Sequence, residues 1–120
     1  MDIFKFYKKI DEKKIREFVE NNQEENLNLE FKTIRRADLI DRDDKKNFAK
    51  ALSGFANSDG GLVIWGVNAK KNAQGIDCAC GFNEIKPLSL FVSKLNDFTG
   101  EFVKPIVDRV THKKIVSSDD

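Results

Sequence analysis

Apolar residues recur at helical spacing in three parts of the chain, and each part predicts a helix. Residues 11–21 carry such a stripe behind Asp11, a residue suited to cap a helix, and residues 42–57 carry another behind Asp41. The third stripe lies within residues 85–102. We predict that these helices pack their apolar stripes on a sheet.

Alternating and continuous apolar runs predict the strands of that sheet. Leu27, Leu29 and Phe31 share one face of a strand over residues 26–34. The run "LVIWGV" is apolar on both faces, as expected of a central strand, and it begins a predicted hairpin over residues 62–82 with a polar turn, "NAKKNAQG". A last extended segment is "PIVDRVTHKKIV". The predicted fold class is α/β (α+β): a single domain with a mixed, mainly antiparallel sheet and helices packed on it.

Two adjacent glycines, Gly60 and Gly61, separate the second helix from the run "LVIWGV". A helix end followed at once by a buried strand needs positive φ and close backbone approach, and glycine permits both. A phosphate-binding loop is the alternative, but these glycines follow a helix and precede a strand, which is the reverse of a P-loop. Gly66, inside a predicted strand, indicates that another group comes close to the backbone.

Composition narrows the class of protein only slightly. The chain of 120 residues suffices for one domain, with residues 1–10 as an N-terminal extension and residues 11–120 as the folded part. The 21 basic and 20 acidic residues nearly cancel, so only a local patch could attract nucleic acid. No apolar run is long enough to cross a bilayer and no secretory signal is recognisable, which favours a cytoplasmic protein without a membrane partner.

Two cysteines, Cys78 and Cys80, lie two residues apart on a predicted strand, too close for an easy disulfide. As metal ligands they would need two further partners, and the chain offers one histidine, His112. Buried, reduced cysteines are the favoured interpretation. His112 itself is expected on a surface strand, and Trp65 in the core.

The segment "EENLNLEFK", the junction "FANSDGGLVIWGV" and the polar turn after it together resemble the Schlafen/AlbA-type DNA-binding domain of bacterial regulators and animal Schlafen proteins. That family's recurring features are a Glu-Ser-x-x-x-Glu-Phe-Lys segment, an Ala-Phe-Ala-Asn-x-x-Gly-Gly junction and a following Gly-Val-x-Asp. The similarity spans roughly residues 12–110. Its specificity comes from the combination of the first two features at the right separation.

The resemblance implies binding to DNA or RNA, often ahead of an ATP-binding region in the full-length protein. It also implies an alternative, because some animal relatives cut structured RNA with three acidic residues and a divalent metal. Here the first two acids fall on Glu25 and Glu30, followed by Lys32, and the third falls on Asn68. An amide lacks the charge of a carboxylate, so we expect binding over cleavage; Mg²⁺ or Mn²⁺ would be the cofactor of a nuclease.

Strand geometry bears on this acidic set. Glu30 and Lys32 point to the same face of their strand, so a carboxylate and an ammonium lie side by side. Glu25 would lie on the opposite face, about 17 Å away if the strand simply continued, so convergence with Glu30 requires a bend within residues 26–28. The alternative is that Glu30 and Lys32 are ordinary solvent-facing residues.

Basic residues are predicted to form one patch if the first strand ends near the hairpin turn. Five cations would then meet phosphates, with two asparagines at the edge of the patch. These residues are Lys32, Arg35, Arg36, Lys70, Lys71, Asn57 and Asn68. No aromatic residue is interleaved with them, which favours contact with the nucleic-acid backbone over base stacking.

Together these features predict a nucleic-acid-binding module, a transcriptional regulator domain. A metal-dependent nuclease and a protein-interaction or assembly module are the alternatives. The chain ends at "SSDD", directly after a predicted strand that lacks a partner, so we expect the full-length protein to continue. The exposed sheet edge also favours a homodimer.

Overall fold

The computed structural model describes residues 3–56, 60–102, 112 and 114–116. Its helices are α1 (Ile3–Lys9), α2 (Glu12–Glu20), α3 (Arg42–Ala56) and α4 (Leu88–Phe102). Its strands are β1 (Leu29–Lys32), β2 (Leu62–Trp65), β3 (Val67–Lys71) and β4 (Asp77–Phe82). The three predicted helices are confirmed, while α1 lies in the segment that we treated as an extension. Within these residues, no helix is long and apolar enough to cross a membrane.

Both predicted N-caps are confirmed. The side chain of Asp11 accepts a hydrogen bond from the backbone N–H of Lys14 at 3.0 Å, at the start of α2. Asp41 Oδ1 accepts the backbone N–H groups of Asp43 and Asp44 at 2.9 and 3.0 Å, at the start of α3. These carboxylates satisfy N–H groups that the first helical turn leaves without intrahelical partners.

The strands combine parallel and antiparallel pairing, which confirms the mixed α/β fold class. β1 pairs with β2 in parallel, with Leu29 opposite Leu62, and β3 pairs with β4 in an antiparallel hairpin. Residues 23–26 add further antiparallel contacts: Ala79 N–H donates to Gln23 at 2.8 Å on the β4 side, and Asn26 bridges to Leu29 at the start of β1. The segment before β1 therefore joins the two strand pairs.

Contacts divide the described residues into two compact units. The first contains the residues up to Thr33, those from Gly60 to Glu84, and Ile115 and Val116; the second contains those from Ile34 to Ala56 and from Ile85 to Lys114. Neither unit is a continuous stretch of chain. The core of the first unit is formed by Ile10, Phe18, Leu29, Phe31, Ile64, Val67 and Ala79. In the second unit the buried apolar side chains include Leu39, Phe48, Phe91 and Leu95.

Gly60 and Gly66 are two of the three described glycines with positive φ. Gly60 has φ 95°, and its carbonyl accepts a hydrogen bond from the Asn28 side chain at 2.9 Å. Gly66 has φ 100° and separates β2 from β3; its N–H donates to Lys32 and its carbonyl accepts from Asn83, both at 2.8 Å. The ends of β1 and β4 thus meet at the Gly66 backbone, which confirms the predicted close approach.

Several details of the sequence prediction are wrong. Leu27, predicted to share the buried face of the first strand, precedes β1 and is 88% exposed. Lys70 and Lys71 end β3 and do not lie in the hairpin turn, because the antiparallel pairing continues to the Lys71–Asp77 pair. His112, expected on a surface strand, is half-buried with its ring 6.4 Å from that of Phe48.

The remaining predictions concern Asn57, the last strand, the two cysteines and Trp65. Asn57 and residues 105–111 of the predicted last strand lie outside the described residues, and residues 114–116 have no strand pairing. Cys78 and Cys80 are free thiols on β4, as predicted; Cys78 is buried as expected, whereas Cys80 is only half-buried. Trp65, predicted to lie in the core, is only half-buried, and among the described strands β2 pairs with β1 alone, so the prediction of a central strand was wrong.

Candidate functional site

A tight reversal of the chain separates Glu25 from β1. Asn26 and Leu29 exchange backbone hydrogen bonds of 3.0 and 3.3 Å, which closes a four-residue turn. The side-chain oxygen of Asn26 accepts the backbone N–H of Asn28 at 2.8 Å, the hydrogen bond of an Asx turn. The bend that convergence of the glutamates requires is therefore present, and Glu25 runs back alongside β1.

Glu25 is held through both its side chain and its main chain. Its Oε2 accepts a hydrogen bond from the backbone N–H of Phe31, in β1, at 3.1 Å. Its own backbone N–H donates to the carbonyl of Asp77, in β4, at 2.8 Å. The carboxylate of Glu25 consequently lies at a fixed place beside β1.

Burial raises the pKa of the Glu25 carboxyl above its ordinary value. The negative charges of Glu30 and Asp77 raise this pKa further, while the Phe31 N–H and the Lys32 ammonium act in the opposite direction. The influence of Glu30 means that the two glutamates share one electrostatic environment. We refer to Glu25 and Glu30 as the glutamate pair.

Glu30 and Lys32 lie side by side on β1, as strand periodicity predicts. Lys32 Nζ is 3.0 Å from Glu30 Oε1, and both side chains are half-buried. The neighbouring residues Leu29 and Phe31 face the core. The opposite face of β1 therefore presents a carboxylate and an ammonium that already neutralise each other.

Asn68 lies on β3 rather than in a turn. Its Nδ2 donates to the carbonyl of Phe82 at 3.3 Å, and its own carbonyl accepts from Cys80 Sγ at 3.4 Å. The register of the hairpin shifts between Asn68 and Ala69, so Cys80 is an extra residue on β4. The side-chain hydrogen bond of Asn68 thus goes across the hairpin and not to either member of the glutamate pair.

Three predicted cations belong to the first unit. Lys32 is paired with Glu30, whereas Lys70 and Lys71 are exposed at the end of β3. Among the residues that the structure describes, neither Lys70 nor Lys71 forms an ion pair. These two lysines can therefore bind a new anionic partner without first breaking an ion pair with a described residue.

The other two predicted cations, Arg35 and Arg36, belong to the second unit. Arg35 Nη1 lies 3.3 Å from Asp43 and 3.8 Å from Asp41, and Arg36 Nη2 lies 2.7 Å from Asp38. Both guanidinium groups are nevertheless largely exposed, at 70% and 60%. Because the five cations are divided between the two units, their assembly into one patch stays a prediction.

Comparison with protein families identifies the chain. The family model described as "Schlafen, AlbA_2" matches residues 25–116, well over half of the 120 residues. The chain belongs to the Schlafen, AlbA_2 family. This family is broadly associated with nucleic acids. No curated protein and no solved structure matches the chain.

The residues at the three acidic positions of some Schlafen relatives do not form a three-acid metal site in this chain. The glutamate pair supplies two carboxylates, but Glu25 accepts the Phe31 N–H and Glu30 is neutralised by Lys32. The third position is the amide of Asn68. Within the described part of the chain, no three His, Cys, Asp or Glu side chains are grouped so as to hold a metal ion. The donor set therefore does not fit a three-carboxylate metal centre.

Two acidic residues of this Schlafen, AlbA_2 chain were missed by sequence reasoning. Asp77 acts on Glu25 because residues 23–25 pair with β4, a contact between distant segments that no local pattern reveals. Asp44 is buried in the first turn of α3, where acidic residues are common simply because they suit the helix dipole. The run "DRDD" signalled a helix start but not which aspartate turns inward.

Proposed function

We propose that this Schlafen, AlbA_2 chain is a nucleic-acid-binding module, a transcriptional regulator domain that contacts the phosphate backbone. The observation that carries the proposal is the pair Arg35 and Arg36, whose guanidinium groups are 70% and 60% exposed while their backbone N–H groups are both bound by Asp44. Guanidinium groups that are fixed at the main chain and exposed at the tip suit bidentate contact with phosphate. The family's association with nucleic acids supports this function.

Lys70 and Lys71 supply a second basic element for the same function. They are exposed and lie on consecutive positions of β3. Consecutive strand residues point to opposite faces, so the two ammonium groups can contact phosphates on either side of the strand. Such contacts give affinity without reading sequence, because they involve only the backbone of the nucleic acid.

Metal-dependent cleavage is the second candidate function, and one observation favours it. The turn at residues 26–29 brings Glu25 close enough to Glu30 for the charge of Glu30 to raise the pKa of Glu25. Two nearby carboxylates are typical of sites for Mg²⁺ or Mn²⁺. Since the third position is Asn68, we rank cleavage below binding.

An assembly module is the third candidate, and a homodimer is compatible with all three. The proposed dimer rests on the last strand that the sequence predicts, over residues 105–116, of which residues 105–111 lie outside the described residues. Light scattering of the chain, beside one extended beyond residue 120, tests it: a monomer in both cases would remove the dimer. A dimer of the short form alone would mark the association as a consequence of chain length.

One experiment separates the three candidate functions. The protein is incubated with labelled structured RNA and with duplex DNA, in Mn²⁺ or in EDTA, and bands are resolved by native and denaturing electrophoresis. A binding function predicts retarded, intact bands in both conditions. The variant Arg35→Gln/Arg36→Gln should then weaken binding to all nucleic-acid sequences to the same extent. Fragments that require Mn²⁺ and disappear in Glu30→Gln would favour cleavage.

Glu20→Gln is the matched control for Glu30→Gln. It removes the same charge from an exposed position at the end of α2. A cleaving protein should keep its activity in this variant. Absence of both retardation and fragments, with protein that is folded by circular dichroism, would sink the nucleic-acid proposal and leave the assembly module.

A further inference from the structure

The chain between β1 and α3 carries Arg35 and Arg36, and we call residues 34–41 the arginine loop. We propose that Asp44 is the positioning residue of this loop: its buried carboxylate fixes the backbone from which both guanidinium groups reach phosphate. The inference rests on the proposed function, since it assigns a role in that same binding. Asp44 itself touches no nucleic acid in this scheme.

Asp44 is only 3% exposed, and such burial is unusual for an aspartate. Its two carboxylate oxygens accept the backbone N–H of Arg35 at 3.1 and 3.0 Å, and Oδ2 also accepts that of Arg36 at 3.0 Å. A buried carboxylate needs such donors, because it has given up its water. Asp44 therefore ties two consecutive peptide groups of the arginine loop to the first turn of α3.

The other end of the arginine loop is anchored separately. Leu39 is fully buried although its φ is 56°, a left-handed conformation that leucine rarely adopts. The Leu39 N–H donates to the Arg36 carbonyl at 3.2 Å, and the Ile40 N–H donates to Asp38 at 3.1 Å. Such a conformation persists only where surrounding contacts over-determine it. The arginine loop is thus fixed at both ends, by a buried carboxylate and by a buried leucine.

The arginine side chains are held much less firmly than the backbone. Their partners Asp38 and Asp43 form ion pairs at the surface, where water and salt compete with each pair. A phosphate offers the same kind of bidentate acceptor as a carboxylate. The guanidinium groups can therefore exchange aspartate for phosphate while the backbone, held by Asp44, stays in place.

Asp44→Asn tests this role, and Asp97→Asn is its control. Both variants remove one negative charge from a helix of the second unit, but Asp97 is exposed on α4 and has no described contact with Arg35 or Arg36. The measured quantity is the slope of log affinity against log salt concentration. We expect Asp44→Asn to lower the slope toward that of Arg35→Gln/Arg36→Gln, and Asp97→Asn to leave it unchanged. Loss of folded protein would alter the bound fraction but not this slope.

Amide hydrogen exchange supplies a second, independent measurement. The N–H groups of Arg35 and Arg36 should be protected in the wild-type protein, unchanged in Asp97→Asn and less protected in Asp44→Asn, where an amide nitrogen replaces one of the two accepting oxygens. Fast exchange in the wild-type protein would overturn the inference without any variant. So would an Asp44→Asn protein that loses protection yet keeps its slope, because the fixed backbone would then be irrelevant to binding.

A triple variant completes the test. In the Arg35→Gln/Arg36→Gln background, Asp44→Asn should cause no further loss of affinity, whereas an additive loss would contradict action through the arginines. Failure of the proposed function has a different signature. A wild-type protein with protected amides that binds neither RNA nor DNA would refute the binding function itself.

Discussion

The carboxylate of Glu25 accepts a hydrogen bond from the backbone N–H of Phe31, six residues further along the chain, at 3.1 Å. The two residues meet because the chain reverses between Asn26 and Leu29. This contact places a charged group beside Glu30 and Asp77, whose charges disfavour it. The hydrogen bond and the charge repulsion therefore act in opposite directions on the stability of the fold.

Glu25→Ala and Glu25→Gln should consequently differ in stability. Alanine leaves the half-buried Phe31 N–H without its acceptor, which costs about 1–3 kcal/mol for a buried donor and less where water can reach it. Glutamine keeps an oxygen acceptor and removes the repulsion, so its free energy of unfolding should equal or exceed that of the wild-type protein. Urea unfolding measures both. A glutamine variant as unstable as the alanine variant would show that the charge itself is needed.

The pH dependence of stability should also depend on Glu25. Because the pKa of Glu25 is raised on folding, the folded state binds more protons than the unfolded state between the unfolded and folded pKa values. The contribution of Glu25 is therefore fully present below the unfolded pKa and is lost as pH rises through the folded pKa. The free energy of unfolding of the wild-type protein, relative to that of Glu25→Gln, should therefore fall as the pH is raised from about 4, near the ordinary pKa of a glutamate, toward neutral. A difference that is constant with pH would contradict the raised pKa.

Gly66→Ala should destabilise the protein by about 1–2 kcal/mol, because φ 100° is unfavourable for any residue with a Cβ. The hydrogen bonds from Gly66 to Lys32 and from Asn83 would be strained as the backbone relaxes. Thermal unfolding provides the measurement. Gly81→Ala is the control, since its added Cβ would lie 3.8 Å from Asn68 Nδ2, an ordinary contact. Equal effects at both positions would argue against a role for the Gly66 conformation.

Lys70→Gln/Lys71→Gln should flatten the salt dependence of nucleic-acid binding. Two lost phosphate contacts lower the log–log slope by about 1.8 on duplex DNA and about 1.4 on single strands. The control is Lys9→Gln/Lys13→Gln, which removes two exposed lysines outside the predicted patch. Fluorescence anisotropy at several salt concentrations gives both slopes. The same change in both variants would mean that net charge, and not the position of Lys70 and Lys71, governs binding.

Local patterns were enough to predict α2, α3 and α4, because each has an apolar stripe and two have an aspartate cap whose effect lies within one turn. The Glu30–Lys32 pair was predictable for the same reason, since strand periodicity alone sets it. Which segments of the chain pair with each other was harder to predict. Leu27 fits an alternating strand by type, yet the hydrogen bonds between Asn26 and Leu29 turn the chain there instead.

The candidate site was predicted only in part because its parts come from distant segments. Family resemblance pointed to Glu25 and Glu30, but the proximity of Asp77 depends on pairing with β4. The inward side chain of Asp44 depends on the path of the arginine loop, which no periodicity encodes. Lys70 and Lys71 were assigned to a turn because their polar surroundings resemble one, although a strand with an exposed edge has the same composition.

The four-residue reversal between Asn26 and Leu29 fixes where Glu25 lies relative to Glu30. The number of residues between the two glutamates therefore matters for the site. Adding or removing one residue there would turn the Glu25 side chain to the other side of the extended segment that precedes β1, because side chains alternate along such a segment. Substituting the exposed tip residue Leu27 would leave that relationship intact. Over evolutionary time, the segment should therefore tolerate drift in residue type at its tip while resisting any change in its length.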